Sequence, residues 1–337
     1  MTQTDNRLSG ERIVLSFPGK AITGQFRRWL QEGLCGGVIF FRDNYESPSQ
    51  FSQLVKQVRD YSCFPFPLLM VDQEGGRVQR IPATGAPNQP SAGEMARLEE
   101  KQQGTIRSLA RRTGKALASL GLNVNLSPVM DVVTEKRNVV IGDRSFGTDP
   151  DTVTKYSLEY AEGLLSAGIC PVMKHFPGHG MTREDSHVTL PRTAIGEKEL
   201  GRVHLRPFIY GVKQGLPAIL TSHVLYSSLD DTFPATLSVE IVRDLLRGNL
   251  GFQGVVISDD LSMGAVRSSF QCEEYVRLAT EASVDIMIHC GTEDDQGEMF
   301  EELLRFYREE DFLREEKERI SLRIEKFIKY LSLFHSL

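Results

Sequence analysis

Short runs of β-prone apolar residues recur along the chain, separated by longer stretches with helical spacing. The runs cover 12–17, 37–41, 67–72, 122–127, 170–175, 218–223, 254–259 and 284–290. Several are apolar at successive positions, such as Leu68-Leu69-Met70-Val71 and Val255-Val256-Ile257. A strand with one wet face alternates; an unbroken apolar run suits a parallel strand covered on both faces. Between the runs, helical spacing predicts helices over 23–31, 49–61, 104–120, 151–167, 197–214 and 238–247. Gly121, Gly168 and Gly215 stand where a helix gives way to the next strand, as a left-handed C-terminal turn requires. Strict alternation implies parallel pairing through right-handed crossovers. Eight such units predict an α/β fold, a closed (β/α)8 TIM-type barrel; a doubly wound open sheet is the alternative. The tail over 311–334 places Leu313, Ile320, Ile324, Phe327 and Leu331 on one stripe. That stripe predicts one further helix, packed on the outside of the barrel. No repeat or linker divides the chain, so the expected organisation is one domain over 1–337, with the barrel at about 12–308 and the extra helix at about 311–334.

Composition narrows the function classes. The chain has 337 residues and a formal net charge of −6. No dense Lys/Arg block is present, which argues against nucleic acid as a partner. Five cysteines occur with no C-x-x-C pair, which fits a reducing compartment. The N-terminal segment MTQTDNRLSGER lacks the apolar core of a secretory signal. No apolar stretch is long enough to cross a bilayer. The expectation is therefore a cytoplasmic protein without a membrane partner. A monomer is expected, because no apolar stripe is left over.

Polar residues gather where chemistry gathers in such a barrel, at the C-terminal ends of the strands. The runs end on Asp72-Gln73-Glu74, Ser127-Pro128, Lys174-His175, Ser222-His223 and Ser258-Asp259-Asp260, with His289 near the end of the last. One such end means ordinary solvation; a whole set points to a single polar pocket. Three segments carry most of the signal. The first, VDQEGGRVQR at 71–80, sets carboxylates and two guanidinium groups around Gly75-Gly76. Carboxylates accept from sugar hydroxyls and Arg donates in a fixed fork, although the glycines alone would mark only a turn. The second, KHFPGHGMTREDSH at 174–187, runs from a strand end into a Pro/Gly-rich loop expected to be mobile. In it, Asp185 lies two residues from His187, close enough to orient the imidazole and favour its charged form. The third, VVISDDL at 255–261, delivers Asp259 to the barrel mouth. An N-cap is the plain alternative for such an acid, and Asp260 can fill that role while Asp259 faces the pocket.

These three runs, VDQEGGRVQR, KHFPGHG…DSH and ISDDLSMGA, resemble the β-N-acetylglucosaminidases of glycoside hydrolase family 3, nearest to the single-domain enzymes that recycle peptidoglycan. The likeness covers about 15–289. It implies a retaining β-N-acetylhexosaminidase that removes terminal β-linked N-acetylglucosamine through a covalent intermediate. It also implies Asp259 as nucleophile, His187 as acid/base with Asp185 behind it, and Asp72, Arg80, Arg144, Lys174 and His175 as residues that hold the sugar. No cofactor is implied. The expected partner is a small saccharide or muropeptide, such as N-acetylglucosamine joined to anhydro-muramic acid with or without a peptide. A histidine in place of the usual second carboxyl group is chemically coherent, since its ordinary pKa lies near neutrality.

Two other readings compete. A metal-dependent barrel hydrolase would draw ligands from His175, His179, His187 and His223, with Asp185 and His289 nearby. The sequence lacks an early H-x-H pair of the kind common in barrel metal sites. A sugar-binding module without turnover would lack the nucleophile or the Asp-His pair, and both are present.

Overall fold

The computed structural model describes residues 3–184, 186, 189–309 and 314–334. Eight strands form a parallel barrel: β1 (Ile13–Leu15), β2 (Gly37–Phe40), β3 (Leu68–Val71), β4 (Val124–Asn125), β5 (Cys170–Pro171 continued by Met173–Phe176), β6 (Ala218–Thr221), β7 (Val255–Asp260) and β8 (Ile286–His289). Each pairs with its sequence neighbour, and β1 pairs with β8. The two halves of β5 close the ring: Cys170–Pro171 pairs with β4 and Met173–Phe176 with β6. The closed barrel holds over the open sheet, and each predicted run contains a strand.

The unbroken apolar runs are explained by packing on both faces. Met70, Val172, Leu220, Ile257 and Ile288 point into the barrel and pack on one another. Their neighbours Leu69, Val71, Ile219, Val256 and Met287 point outward into a larger cluster shared with the helices. The outer layer includes Gly24–Glu32, Pro48–Tyr61, Thr105–Ser119 and Pro150–Leu165, close to the predicted spans. Thr23, Ser47 and Asp149 accept from backbone N–H groups as N-caps of three of these helices, which fixes where they begin. The helix predicted over 197–214 arrives in three pieces, Glu197–Glu199, Leu200–His204 and Arg206–Lys213. Ala92–Lys101, Cys272–Glu281 and Glu293–Glu309 are further helices.

The last helix, Arg314–Phe334, has a more specific place than the outside wall. Ile320, Ile324, Phe327 and Leu331 belong to the same apolar cluster as the residues inside the barrel. Arg323 pairs with Asp285 at 2.7 Å, immediately before β8 begins. Arg247 reaches the other oxygen of Asp285 at 2.6 Å, and Arg12 donates to the Asp285 carbonyl at 3.1 Å. The helix therefore lies across the N-terminal mouth and closes that end of the core. Leu313 of the predicted stripe lies outside the described residues. The opposite end stays polar.

Candidate active site

The C-terminal mouth is organised by a buried ionic cluster. Lys174, on β5, donates to Asp72 and to Glu74 at 2.6 Å each. Arg144 grips Glu74 with two parallel bonds of 2.8 Å. Lys174 and Glu74 are almost fully buried. Two cations thus meet two carboxylates, the balance a buried ionic group needs. Burial alone would raise the Glu74 carboxyl, but Arg144 and Lys174 outweigh it and hold the group far below the usual carboxylate range. Lys174 stays protonated for the reciprocal reason: burial works against its charge, and Asp72 with Glu74 restores it.

Local backbone chemistry aims these groups. The turn after β3 needs glycine twice. Gly75 has φ of 112°, and a Cβ there would lie 2.2 Å from the Pro90 carbonyl oxygen; Gly76 has φ of 55° against Ser91. Gln89 braces the turn by donating to the Glu74 carbonyl and to the Tyr160 hydroxyl. Arg144 is held over its own turn by the Val140 carbonyl at 3.1 Å. The Lys174–His175 peptide bond is cis, and both side chains belong to the cluster.

Asp259 and Asp260 divide their duties. The Asp260 carboxylate accepts from the backbone N–H and hydroxyl of Ser262 and from the N–H of Cys290. It stitches the loop after β7 to the end of β8. Asp259 accepts only the N–H of Asp260, at 2.8 Å, among the described residues. Burial pushes its carboxyl up, but His223, His175 and Lys174 lie close enough to hold it below the ordinary value. Asp259 is thus an ionised carboxylate with spare acceptor capacity at the barrel mouth.

One organising residue was not picked out from the sequence. Asp131, fully buried, accepts from His175 Nδ1 at 2.7 Å and from the His179 backbone N–H at 2.7 Å. Burial opposes its charge, but the His175 ring and His179 together outweigh that and hold the carboxyl below its ordinary value. The bond fixes Nδ1 of His175 as the nitrogen facing the acid, leaving Nε2 3.4 Å from Arg144. The available signal was an acid inside the apolar stretch Val129-Met130-Asp131-Val132-Val133, where an unpaired charge would be costly.

The loop after β5, expected to be mobile, is tied by hydrogen bonds through its first half. The Gly180 carbonyl accepts from the N–H groups of Thr134 and Glu135, and a Cβ on Gly180 would lie 2.0 Å from the Val132 oxygen. The Tyr226 hydroxyl bonds to the Gly178 carbonyl. His179 is buried with Thr182 at 2.8 Å on Nδ1 and Ser186 at 3.3 Å on Nε2; burial lowers its pKa to about 4. Asp185 and His187 lie outside the described residues. Arg80 is half-buried over the Phe41 ring at 5.5 Å, and its Nε has no hydrogen-bond partner among the described residues.

The structure therefore brings Asp72, Lys174, His175, Arg144 and Asp259 to one mouth, with Arg80 beside them on Phe41. Glu74 and Asp131 join them. Of the metal reading's ligands, His187 lies outside the described residues, while His175 bonds to Asp131, His179 to two hydroxyls, and His223 sits between Thr236 and the Asp260 carbonyl. Among the described residues, no group of three or more His, Cys, Asp or Glu side chains is arranged to hold a metal ion.

Chemistry in such a barrel gathers at the C-terminal ends of the strands, and here an Asp259 carboxylate with acceptor capacity to spare lies there beside fixed cations. Comparison with known proteins makes this specific. The family model described as Glycosyl hydrolase family 3 N terminal domain matches residues 10–320. A curated β-hexosaminidase from Nitrosomonas eutropha is 34% identical over 295 residues, which are 86% of this chain and 84% of that protein. A family 3 β-N-acetylglucosaminidase from Paenibacillus superposes with a TM-score of 0.92 at 31% identity; the match covers 97% of this chain and 62% of that longer one. A β-N-acetylhexosaminidase from Beutenbergia cavernae gives 0.90 at 27% identity, covering 96% of this chain and 98% of that one. The chain belongs to glycosyl hydrolase family 3. It is a glycoside hydrolase on a TIM-type barrel, and among its described residues no helix is long and apolar enough to cross a membrane.

Proposed function

We propose that the chain is a retaining exo-β-N-acetylglucosaminidase, with Asp259 as nucleophile and the Asp185–His187 pair as acid/base. The reading rests on the state of Asp259: ionised, at the mouth, and spared the structural hydrogen bonds that Asp260 takes. Asp72, Arg80, Arg144, Lys174 and His175 hold the terminal N-acetylglucosamine. Carboxylates accept its hydroxyl protons, and Lys174 and Arg144 donate from positions locked by Glu74. The Asp259 carboxylate attacks the anomeric carbon while His187 protonates the departing oxygen. The resulting glycosyl ester is then opened by water, from which His187 takes the proton. Asp185 steadies the imidazolium before the first step and again as it re-forms in the second. The natural substrate is a peptidoglycan fragment, N-acetylglucosamine on an anhydro-muramic unit with or without peptide, met in the cytoplasm by a monomeric enzyme.

The test is release of the aryl group from an aryl β-N-acetylglucosaminide, with chelator in every assay. Wild type turns over, Asp259→Ala is dead, and His187→Ala and Asp185→Ala are slowed. An inert wild type, or near-normal activity in Asp259→Ala, overturns the assignment.

A further inference from the structure

Three histidines stand in the run at 174–187. His175 and His187 have parts in the proposed reaction; His179 has none. Yet His179 is almost fully buried, and the loop after β5 is built around it. Its backbone is fixed from two sides. The N–H donates to Asp131 at 2.7 Å, and the carbonyl accepts from the Asn138 amide at 2.7 Å. The same Asp131 carboxylate takes Nδ1 of His175, whose ring meets that of His179 edge-on at 6.0 Å. The sugar-holding histidine and the loop histidine therefore share one anchor.

The side chain works in the other direction, along the loop. Burial keeps the imidazole neutral near pH 7, so one ring nitrogen donates and the other accepts. The Thr182 hydroxyl settles which is which. It lies 2.8 Å from Nδ1 and 3.1 Å from the His179 carbonyl. The carbonyl can only accept, so the single hydroxyl proton goes there, and Nδ1–H donates to the hydroxyl oxygen. Nε2 is left as the acceptor, for the Ser186 hydroxyl at 3.3 Å. Ser186 is itself buried, and its carbonyl accepts the N–H of Ala265 at 3.2 Å. Ala265 belongs to the short helix Gly264–Arg267, which follows β7 and its Asp259. Thr182 and Ser186 bracket Asp185 in the sequence, and Ser186 separates it from His187. A second tie, Arg183 to Glu135 at 2.6 Å, is exposed on the Arg183 side and is weakened by water. The buried bonds to a neutral ring escape that screening.

We propose that His179 is a positioning residue for acid catalysis: it holds the chain on either side of Asp185 through Thr182 and Ser186, and through Ser186 and Ala265 it sets the acid/base pair against the strand that carries Asp259. The inference rests on the glycosidase reading above and adds the residue that fixes the proton donor. His179 acts through these partners and not on the sugar. Its backbone bonds to Asp131 and Asn138 survive replacement of the ring, so the loss falls on the donor.

The experiment uses departing groups that need the proton to different degrees. Phenolate requires protonation as it departs; 2,4-dinitrophenolate leaves unaided. The values of kcat/KM are compared for the phenyl and 2,4-dinitrophenyl β-N-acetylglucosaminides in wild type, His179→Phe and His179→Gln. General acid catalysis contributes roughly 10²–10⁴-fold, so a misplaced donor in His179→Phe should lower the phenyl value about tenfold and the dinitrophenyl value less than about twofold. In His179→Gln the amide oxygen can stand in for Nε2 and accept from Ser186, and most of the phenyl value should return. In a His187→Ala background, His179→Phe should add nothing on the phenyl substrate, as for residues that act as a unit. Equal losses on the two substrates, or an undiminished loss in the His187→Ala background, overturn the proposal while leaving the glycosidase reading intact. A wild type that cleaves neither substrate overturns the glycosidase reading, and this inference with it. Should His179→Phe not fold, Ser186→Ala decides: it deletes one oxygen and should show the same split, about threefold on the phenyl substrate, and equal losses on both again overturn the proposal.

Discussion

Replacing Glu74 by Gln removes one charge from a cluster that has no spare. Glu74 serves Arg144 through two bonds of 2.8 Å and Lys174 through one of 2.6 Å. In Glu74→Gln, two buried cations share the single carboxylate of Asp72, and the new amide N–H group faces donors. Breaking a buried pair by deleting one partner costs about 3–5 kcal/mol. With unfolding entropy of roughly 2.1 cal/mol/K per residue, this chain of 337 residues loses about 1.4 °C per kcal/mol. The expected fall in Tm is therefore ~4–7 °C at pH 7. The pH dependence supplies a second check. The carboxyl of Glu74 is lowered on folding, so its contribution is present above the unfolded value of about 4.3 and fades as pH falls towards the folded value. The gap between wild type and variant should be full above pH 5 and narrow below pH 4. Calorimetry across that range measures both. A variant melting within a degree of wild type at pH 7 would refute the reasoning. So would a gap that widened in acid.

Other outcomes follow from single contacts. Asp131→Asn keeps an acceptor for His175 Nδ1 but removes the charge opposite the ring; kcat/KM on an aryl glycoside should fall about tenfold or more, and an unchanged value would count against Asp131 as a positioning residue. Phe327→Ala empties part of the plug beneath the barrel and should cost about 3–5 kcal/mol, read as a lower denaturation midpoint with KM unaltered. Exhaustive chelation should leave the aryl glycosidase rate unchanged, since no residue is assigned to a metal; loss restored by added zinc would revive the metal reading.

The barrel was legible because its strands are covered on both faces. Leu68-Leu69-Met70-Val71 is apolar throughout since alternate residues fill the barrel and the helical layer. Polar residues at matching strand ends pointed to the mouth where the structure gathers Asp72, Lys174, Arg144 and His175. Helices such as Ala92–Lys101 and Glu293–Glu309 escaped because charges interrupt their stripes; Glu99, for one, is buried and accepts from the N–H groups of Gly104 and Ile106. The place of the last helix was hidden for another reason. An amphipathic stripe states that one face is buried, but not against what, and both an outer wall and an open barrel end satisfy it. Glu74 and Asp131 act through partners far along the chain, Arg144 and His175, so local pattern could offer an acid at a strand end and an acid in an apolar stretch but not the partners that give them their roles. The Asp259–Asp260 division was readable as an alternative, and the hydrogen bonds to Ser262 and Cys290 assign the structural half to Asp260.

The central claim is that Asp259 forms a bond to the sugar. Incubation with a fluorinated N-acetylglucosaminyl donor that enters the first step quickly and leaves the second slowly should trap the intermediate. Mass spectrometry of the intact protein should show one added glycosyl unit, and peptide mapping should place it on Asp259. Absence of any adduct while the activated leaving group is released in a full burst, or an adduct on another residue, would contradict the account.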